Sequence, residues 1–86
     1  MSLQINCADQ DEVDRYWERL TDGGEEGPCG WLKDRYGLSW QVIPTALEEL
    51  LADPDRARAA RAMEAMFRIR KIDVAALQRA ADAVAA

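Results

Sequence analysis

The sequence predicts an α+β fold in which a small sheet-forming part comes first and helices follow it. Near the start and again over residues 38–43, apolar and polar residues alternate with the period of two that is typical of strands. Elsewhere apolar residues recur at three- and four-residue spacings, as on helices. Because 86 residues are enough for one domain, we divide the chain into a strand–helix–strand–strand part at 1–44 and a helical extension of the same domain at 45–86.

The first strand and helix are predicted over residues 1–21. Leu3, Ile5 and Cys7 alternate with polar residues. Asp9, followed three residues later by Glu12, is typical of a helix N-terminus. The apolar face of this helix has members at i, i+3, i+4 and i+7: Val13, Tyr16, Trp17 and Leu20. Gly23 and Gly24 then end the helix, because glycine readily adopts the left-handed conformation of a C-terminal cap.

A hairpin is predicted next, with strands at 29–34 and 38–43, a turn at 35–37, and Pro44 as its end. The connection at 25–28 leaves no room for a long strand. Leu38, Trp40 and Val42 form one apolar row of the second strand. One helix covers only part of this row and the row of Leu3, Ile5 and Cys7, so we expect either a partner chain or the C-terminal helices to cover the remainder.

Three helices are predicted in the second half. The pattern from Thr45 to Glu48 predicts a capped helix through Leu51, and Asp53-Pro54 predicts the start of a longer helix that continues to about Arg70. Asp73 caps a last helix that carries Leu77 and Val84. The long helix has a stripe that we expect to be buried: Ala59, Met63, Met66, Phe67 and Arg70. Three of its arginines are expected to be solvated: Arg56, Arg58 and Arg61.

Charge and composition exclude several function classes. The net charge of −5 argues against a nucleic-acid-binding protein. No apolar run is long enough to span a membrane, and the first residues do not show the pattern of a signal peptide, so neither feature is expected. Two cysteines do not make a disulfide framework, so a cytoplasmic location is expected. Residues 1–52 carry 11 acids and 4 bases, whereas residues 53–71 carry 3 acids and 6 bases, so we expect the two parts to attract each other.

Several strings of residues resemble a known family. They are Cys7, residues 14–17 (DRYW), residues 29–37 (CGWLKDRYG), residues 39–41 (SWQ) and Pro44. They are similar to the second module of PhnB-like proteins, the 3-demethylubiquinone-9 3-methyltransferase domain family of the vicinal-oxygen-chelate (glyoxalase/bleomycin-resistance) superfamily. The resemblance continues through 50–53 and 71–73. It implies a single βαβββ module with a short or missing second strand, followed by C-terminal helices.

The resemblance also implies a partner and a cleft. Members of this branch usually carry two modules, and this sequence supplies one, so the second is expected from another copy in a homodimer or from a longer protein of which this is a fragment. Metal-dependent relatives take ligands from the first and last strands, and these positions correspond here to residues near Ser2 and to Gln41. Serine and glutamine are poor ligands, so no metal is expected.

The candidate binding residues are Gln41, Trp40 and Trp31. Gln41 is either an amide that lines the cleft and binds a ligand or partner, or a satisfied sheet residue. The tryptophans are either packing residues or an aromatic wall for a flat organic ligand. Trp40 and Gln41 are neighbours in a strand, so they face opposite sides of the sheet. Cys7, on an apolar row, is expected to be a small buried side chain.

The predicted function is the binding of a small organic molecule, with an unassigned reaction, in a cleft formed with a second module. The alternative is a non-catalytic, dimeric ligand-sequestering or structural protein. The methyltransferase label of the family implies S-adenosylmethionine, but no Gly-rich loop follows a predicted parallel strand. No cofactor is therefore predicted.

Overall fold

The structure, a computed structural model, describes residues 2–83 and has the predicted α+β class. The sheet part contains β1 (Ser2–Cys7), α1 (Gln10–Thr21), β2 (Glu25–Glu26), β3 (Trp31–Lys33) and β4 (Ser39–Pro44). The helical part contains α2 (Thr45–Leu51), α3 (Arg56–Met66) and α4 (Val74–Asp82). The order βαβββ with a two-residue second strand confirms a glyoxalase-like module followed by helices. Met1 and the predicted last-helix residue Val84 lie outside the described residues.

The four strands form one sheet in the order β1-β4-β3-β2. β1 and β4 are parallel, because α1 carries the chain across one face between the first strand and the hairpin. β3 pairs antiparallel with both β4 and β2. The first and last strands of the module are therefore adjacent, and Ile5 lies opposite Val42.

One face of the sheet carries the core of the module. The parallel register puts both predicted apolar rows on the face that α1 covers. The expectation that α1 covers only part of them is confirmed, because Leu3 is 39% exposed and Leu38 and Trp40 are half-buried. The buried members of this cluster, the sheet core, are Cys7, Val13, Trp17, Leu32 and Val42, with Ile5, Leu20 and Trp40 packed against them. Leu38 precedes β4 and is half-buried.

The helix α1 begins and ends as predicted. The Asp9 carboxylate accepts a hydrogen bond from the Glu12 backbone N–H at 3.0 Å, and the Glu12 carboxylate accepts one from the Ala8 N–H at 2.6 Å. These bonds satisfy donors that the first helical turn leaves free. Gly23, with φ +78°, follows the end of the helix.

The first hairpin strand is shorter than predicted. Of the strand predicted over 29–34, only Trp31–Lys33 is a strand in the structure, β3. It begins later than predicted because Cys29 and Gly30 both have positive φ. Their N–H groups donate to the carbonyls of Ile69 (3.0 Å) and Arg70 (2.7 Å). A long-range contact that no local pattern encodes therefore decides where this strand begins.

Two helix starts differ from the prediction. Thr45 does not cap α2, because its hydroxyl donates to the Cys7 carbonyl at 3.2 Å, and Pro44 precedes the helix without a side-chain cap. Asp55 caps the next helix in place of Asp53, accepting hydrogen bonds from the Ala57 and Arg58 N–H groups. This helix ends at Met66, before the predicted Arg70, since the following residues turn to bind Cys29 and Gly30.

The helices form a second core, the helical core, against the end of β4. Its buried members are Ile43, Leu47, Ile72 and Leu77. Of the predicted stripe, Met66 is half-buried in this cluster, whereas Met63 and Phe67 are 43% and 63% exposed. The stripe is therefore wrong in register, and the fully buried position of α3 is Ala62.

Ion pairs connect the acidic and basic parts of the chain, as the charge distribution predicts. Lys71 Nζ lies 2.8 Å from Asp14 Oδ1, and Arg70 Nη1 lies 3.6 Å from Glu26 Oε2. Arg56 is exposed, as expected. Arg58 and Arg61 are not simply solvated, because Arg58 pairs with Asp53 and Asp82 and Arg61 donates to the Ala81 carbonyl.

Candidate ligand-binding face

The sheet has a second face, which α1 does not cover and which we call the open face. Strand alternation puts on it the side chains that oppose the sheet core. They are Ser2, Gln4 and Asn6 of β1, Glu25 of β2, Trp31 and Lys33 of β3, and Ser39, Gln41 and Ile43 of β4. The helical core buries Ile43 at one end of this face. The C-terminal helices therefore cover the end of the face and leave Trp31 36% exposed.

Two of the predicted site residues meet on the open face. Trp31 and Gln41 are register partners on β3 and β4, and Gln4 of β1 lies opposite Gln41 on the other side. Across residues 2–83, the Gln41 amide makes no hydrogen bond, whereas the Gln4 amide donates to Asn6 Oδ1 at 2.7 Å. An indole surface thus lies beside an amide that has free donors and a free acceptor.

A shallow hollow of about 290 Å³ runs beside Trp31. Its wall includes Pro28, Trp31, Lys33 and Ser39. Gly27 keeps the β2–β3 connection close to Trp31, since a Cβ at that position would lie 2.9 Å from the Trp31 carbonyl oxygen. A larger hollow of about 550 Å³ lies beside the C-terminal half of α1 and Asp22, where most of the lining residues are charged, away from the open face.

The third predicted site residue, Trp40, is on the opposite side. It packs against the sheet core, and its indole N–H donates to Asp34 Oδ2 at 2.9 Å. The other oxygen of Asp34 accepts from the Tyr36 and Leu38 N–H groups at 2.9 and 3.0 Å. The Trp40 hydrogen bond, with these backbone bonds, lowers the pKa of the Asp34 carboxyl. Asp34 and Trp40 therefore brace the hairpin turn, and the structure does not bring Trp40 to Trp31 and Gln41.

The sequence of the chain matches the model of a known family. The model of the 3-demethylubiquinone-9 3-methyltransferase family matches residues 1–43. The chain belongs to this family. The matched segment holds β1, α1 and nearly all of the hairpin, including the Asp34–Trp40 brace, while the helical part follows it. No curated protein matches the chain significantly.

The residues do not fit the metal site that the family resemblance implies. Ser2 and Gln41, at the corresponding positions, both belong to the open face, but they offer only a hydroxyl and an amide oxygen. Within residues 2–83, no group of three or more Cys, Asp and Glu side chains could hold a metal ion. No chemical step through a metal follows from this arrangement.

The Cys7 thiol is held in the sheet core with 1% exposure, as predicted. Burial, helped by the negative charges of Glu12 and Asp9, raises the pKa of this thiol, so it stays neutral at pH 7. A neutral buried thiol is a poor nucleophile. Cys7 therefore packs in this family member and does not contribute to the open face.

Two open-face residues were not among the predicted site residues. Gln4 and Lys33 come next to Gln41 and Trp31 only through strand pairing and alternation. The polar positions of β1 are visible in the sequence, but the parallel pairing with β4 that makes them neighbours of Gln41 is not.

None of the helices described over residues 2–83 is long and apolar enough to cross a membrane.

Proposed function

We propose that the open face binds a small organic molecule and that a second copy of the module completes the cleft beside it. The observation that carries this proposal is the pairing of Trp31 with Gln41 on the uncovered face, where the amide has no partner within residues 2–83. Flat apolar surface beside a few oriented polar groups is the usual composition of a small-molecule site. The strand order β1-β4-β3-β2 further supports placement in the vicinal-oxygen-chelate superfamily.

The outer edge of β1 supports a second copy as the partner. β1 is a six-residue edge strand, with neither charge nor proline, and Leu3 on it is 39% exposed. Edge strands of this kind readily pair with another strand, because their outward N–H and C=O groups are unsatisfied. Antiparallel pairing of two β1 strands about a two-fold axis joins the two sheets and places the two open faces side by side.

Light scattering tests the homodimer. The expected mass is twice the 9.7 kDa of one chain. Leu3→Lys introduces a charge at the edge and is expected to give the monomer, whereas Tyr36→Lys, at an 84% exposed turn position, leaves the dimer intact. A single-chain mass for the unaltered protein contradicts this part of the proposal.

Titration calorimetry with 2-naphthamide, a neutral planar probe, tests the binding face. Trp31→Leu is expected to weaken binding by about tenfold, since aromatic stacking contributes about 0.5–1.5 kcal/mol. Trp40→Phe changes an indole on the other face and is expected to leave the affinity unchanged. Equal affinity for Trp31→Leu and the unaltered protein contradicts the proposal.

The chemistry of the open face favours binding over turnover. Its central groups are an indole, amides and hydroxyls, with Lys33 and Glu25 toward the β2 edge. The Cys7 thiol and the Asp34 carboxylate serve the core and the turn. The methyl transfer named by the family uses S-adenosylmethionine, and the β1–α1 connection, Ala8-Asp9, is not a Gly-rich loop. We therefore favour a ligand-sequestering protein over a methyltransferase. Both cysteines are free, which fits the cytoplasm.

A further inference from the structure

Two hollows beside the β2–β3 ladder share Lys33 and Glu25. One, of about 290 Å³, is lined by Trp31 and Ser39, and the other, of about 340 Å³, lies toward the hairpin turn. Over residues 2–83, Lys33 is the single cationic side chain of the open face, and it takes part in no ion pair. A positive charge therefore lies next to the aromatic surface of the proposed site.

The spacing of Trp31 and Lys33 matches a particular ligand shape. They lie two residues apart on β3, so their side chains leave the sheet about 6.6 Å apart. A ring stacked on the Trp31 indole carries an attached carboxylate toward Lys33. The span from ring centre to carboxylate oxygen, plus a charge-assisted hydrogen bond of about 2.8 Å, is close to that spacing.

The neighbours of Lys33 restrict the charge of the ligand. Ser39 lies opposite Lys33 on β4 and supplies a hydroxyl that can donate to an anion. Glu25 lies opposite Lys33 on β2, so a ligand with a second negative charge is repelled there. The nearby Asp34 carboxylate is already engaged with Trp40 and two backbone N–H groups.

We propose that the open face selects planar aromatic monoanions, with the ring on Trp31 and a carboxylate on Lys33 and Ser39. This inference rests on the proposed function and names the ligand class of the same site. Lys33 acts as the charge-recognising residue, and Gln41, the register partner of Trp31, contacts the ring edge or its polar substituents.

Calorimetry on the full chain with 2-naphthoate and 2-naphthamide tests the inference, because the two probes share one ring system and differ in charge. We expect 2-naphthoate to bind about fivefold more tightly than the amide, the effect of one exposed ion pair, and to lose this advantage at high salt. Lys33→Gln is expected to weaken 2-naphthoate binding and to leave 2-naphthamide binding unchanged. Arg15→Gln, which removes the same charge from α1 on the opposite side of the sheet, is the matched control and is expected to change neither affinity.

The outcomes separate this inference from the proposed function. Equal affinities for the two probes, together with no effect of Lys33→Gln, overturn the anion selectivity and leave the binding face intact. Equal weakening of 2-naphthoate binding by Lys33→Gln and Arg15→Gln also overturns it, since net charge alone then accounts for the preference. Failure of both probes to bind overturns the selectivity and the proposed face together.

Discussion

The sheet core and the helical core use the two sides of one strand. Val42 and Ile43 are consecutive in β4, and they point to opposite faces, Val42 into the sheet core and Ile43 into the helical core. The sheet core packs against one helix, α1, and the other face of the sheet carries mostly polar side chains around Trp31. The helical core occupies only the end of that polar face. The C-terminal helices therefore stabilise the module at its end and leave the open face available for a ligand or a second copy.

Equal truncations in the two cores are the strongest test of this division. Leu32→Ala in the sheet core and Leu77→Ala in the helical core each remove a leucine that is at most 2% exposed, and each is expected to lower the free energy of unfolding by about 2–5 kcal/mol. Native-state hydrogen exchange distinguishes them. Leu77→Ala is expected to increase exchange in α4 more than in β4, because local opening follows local packing. Equal increases in both elements would show that the two cores open as one unit.

The junction between the cores can be tested at Gly30. Gly30 and Gly37 both have φ +82°, but a Cβ at Gly30 would lie 3.1 Å from Ile72 Cγ1, whereas one at Gly37 meets nothing within 4 Å. Gly37→Ala is expected to cost about 1–2 kcal/mol for the left-handed conformation. Gly30→Ala is expected to cost about 1–3 kcal/mol more, from overpacking. Urea unfolding midpoints measure both variants, and equal losses contradict a tight junction.

The Asp34–Trp40 brace predicts a pH dependence within the sheet part. The folded state lowers the pKa of Asp34, so its stabilising effect is present above the unfolded-state value of about 3.9 and is lost as pH falls through the lower folded-state pKa. Trp40→Phe removes the indole donor. It is expected to lower the urea midpoint at pH 7 more than at pH 2.5. Trp31→Phe, whose indole makes no hydrogen bond within residues 2–83, serves as control and is expected to show no such pH-dependent difference.

The smallest effect is expected on the outer surface of the helical part. Phe67 is 63% exposed, so Phe67→Ala is expected to change the free energy of unfolding by less than about 0.5 kcal/mol. Thermal and urea unfolding measure it beside Leu77→Ala. A loss above about 2 kcal/mol would show that Phe67 is buried in the protein in solution, against a part of the chain or against another copy.

Local patterns predicted the parts of the fold that local contacts determine. The Asp9 cap of α1, the glycines after it and the Asp34–Gly37 turn are all closed by hydrogen bonds over a few residues. The start of β3, the end of α3 and the register of the α3 stripe were wrong. Those boundaries depend on contacts between residues 29–30 and 69–70, about forty positions apart. The spacing of apolar residues in either segment does not predict these long-range contacts.

The candidate site was predictable to a similar extent. Alternation within β4 is enough to place Gln41 and Trp40 on opposite faces of the sheet. The pairing of Trp31 with Gln41, and the presence of Gln4 and Lys33 beside them, required the sheet order. The parallel pairing of β1 with β4 also brought both apolar rows to one face, which the sequence pattern alone does not determine because period two leaves the relative faces of separate strands open.

The most direct test of the central claim is an NMR titration that follows the three indole N–H signals as 2-naphthamide is added. Trp17 and Trp40 donate to Glu26 and Asp34 at 2.7 and 2.9 Å beneath the sheet, whereas Trp31 faces the open side. We expect the Trp31 indole and the Gln41 side-chain amide to shift together and the Trp17 and Trp40 indoles to stay in place. Shifts confined to Trp17, Trp40 or the surface around Phe67, with Trp31 and Gln41 unmoved, would contradict a ligand site on the open face.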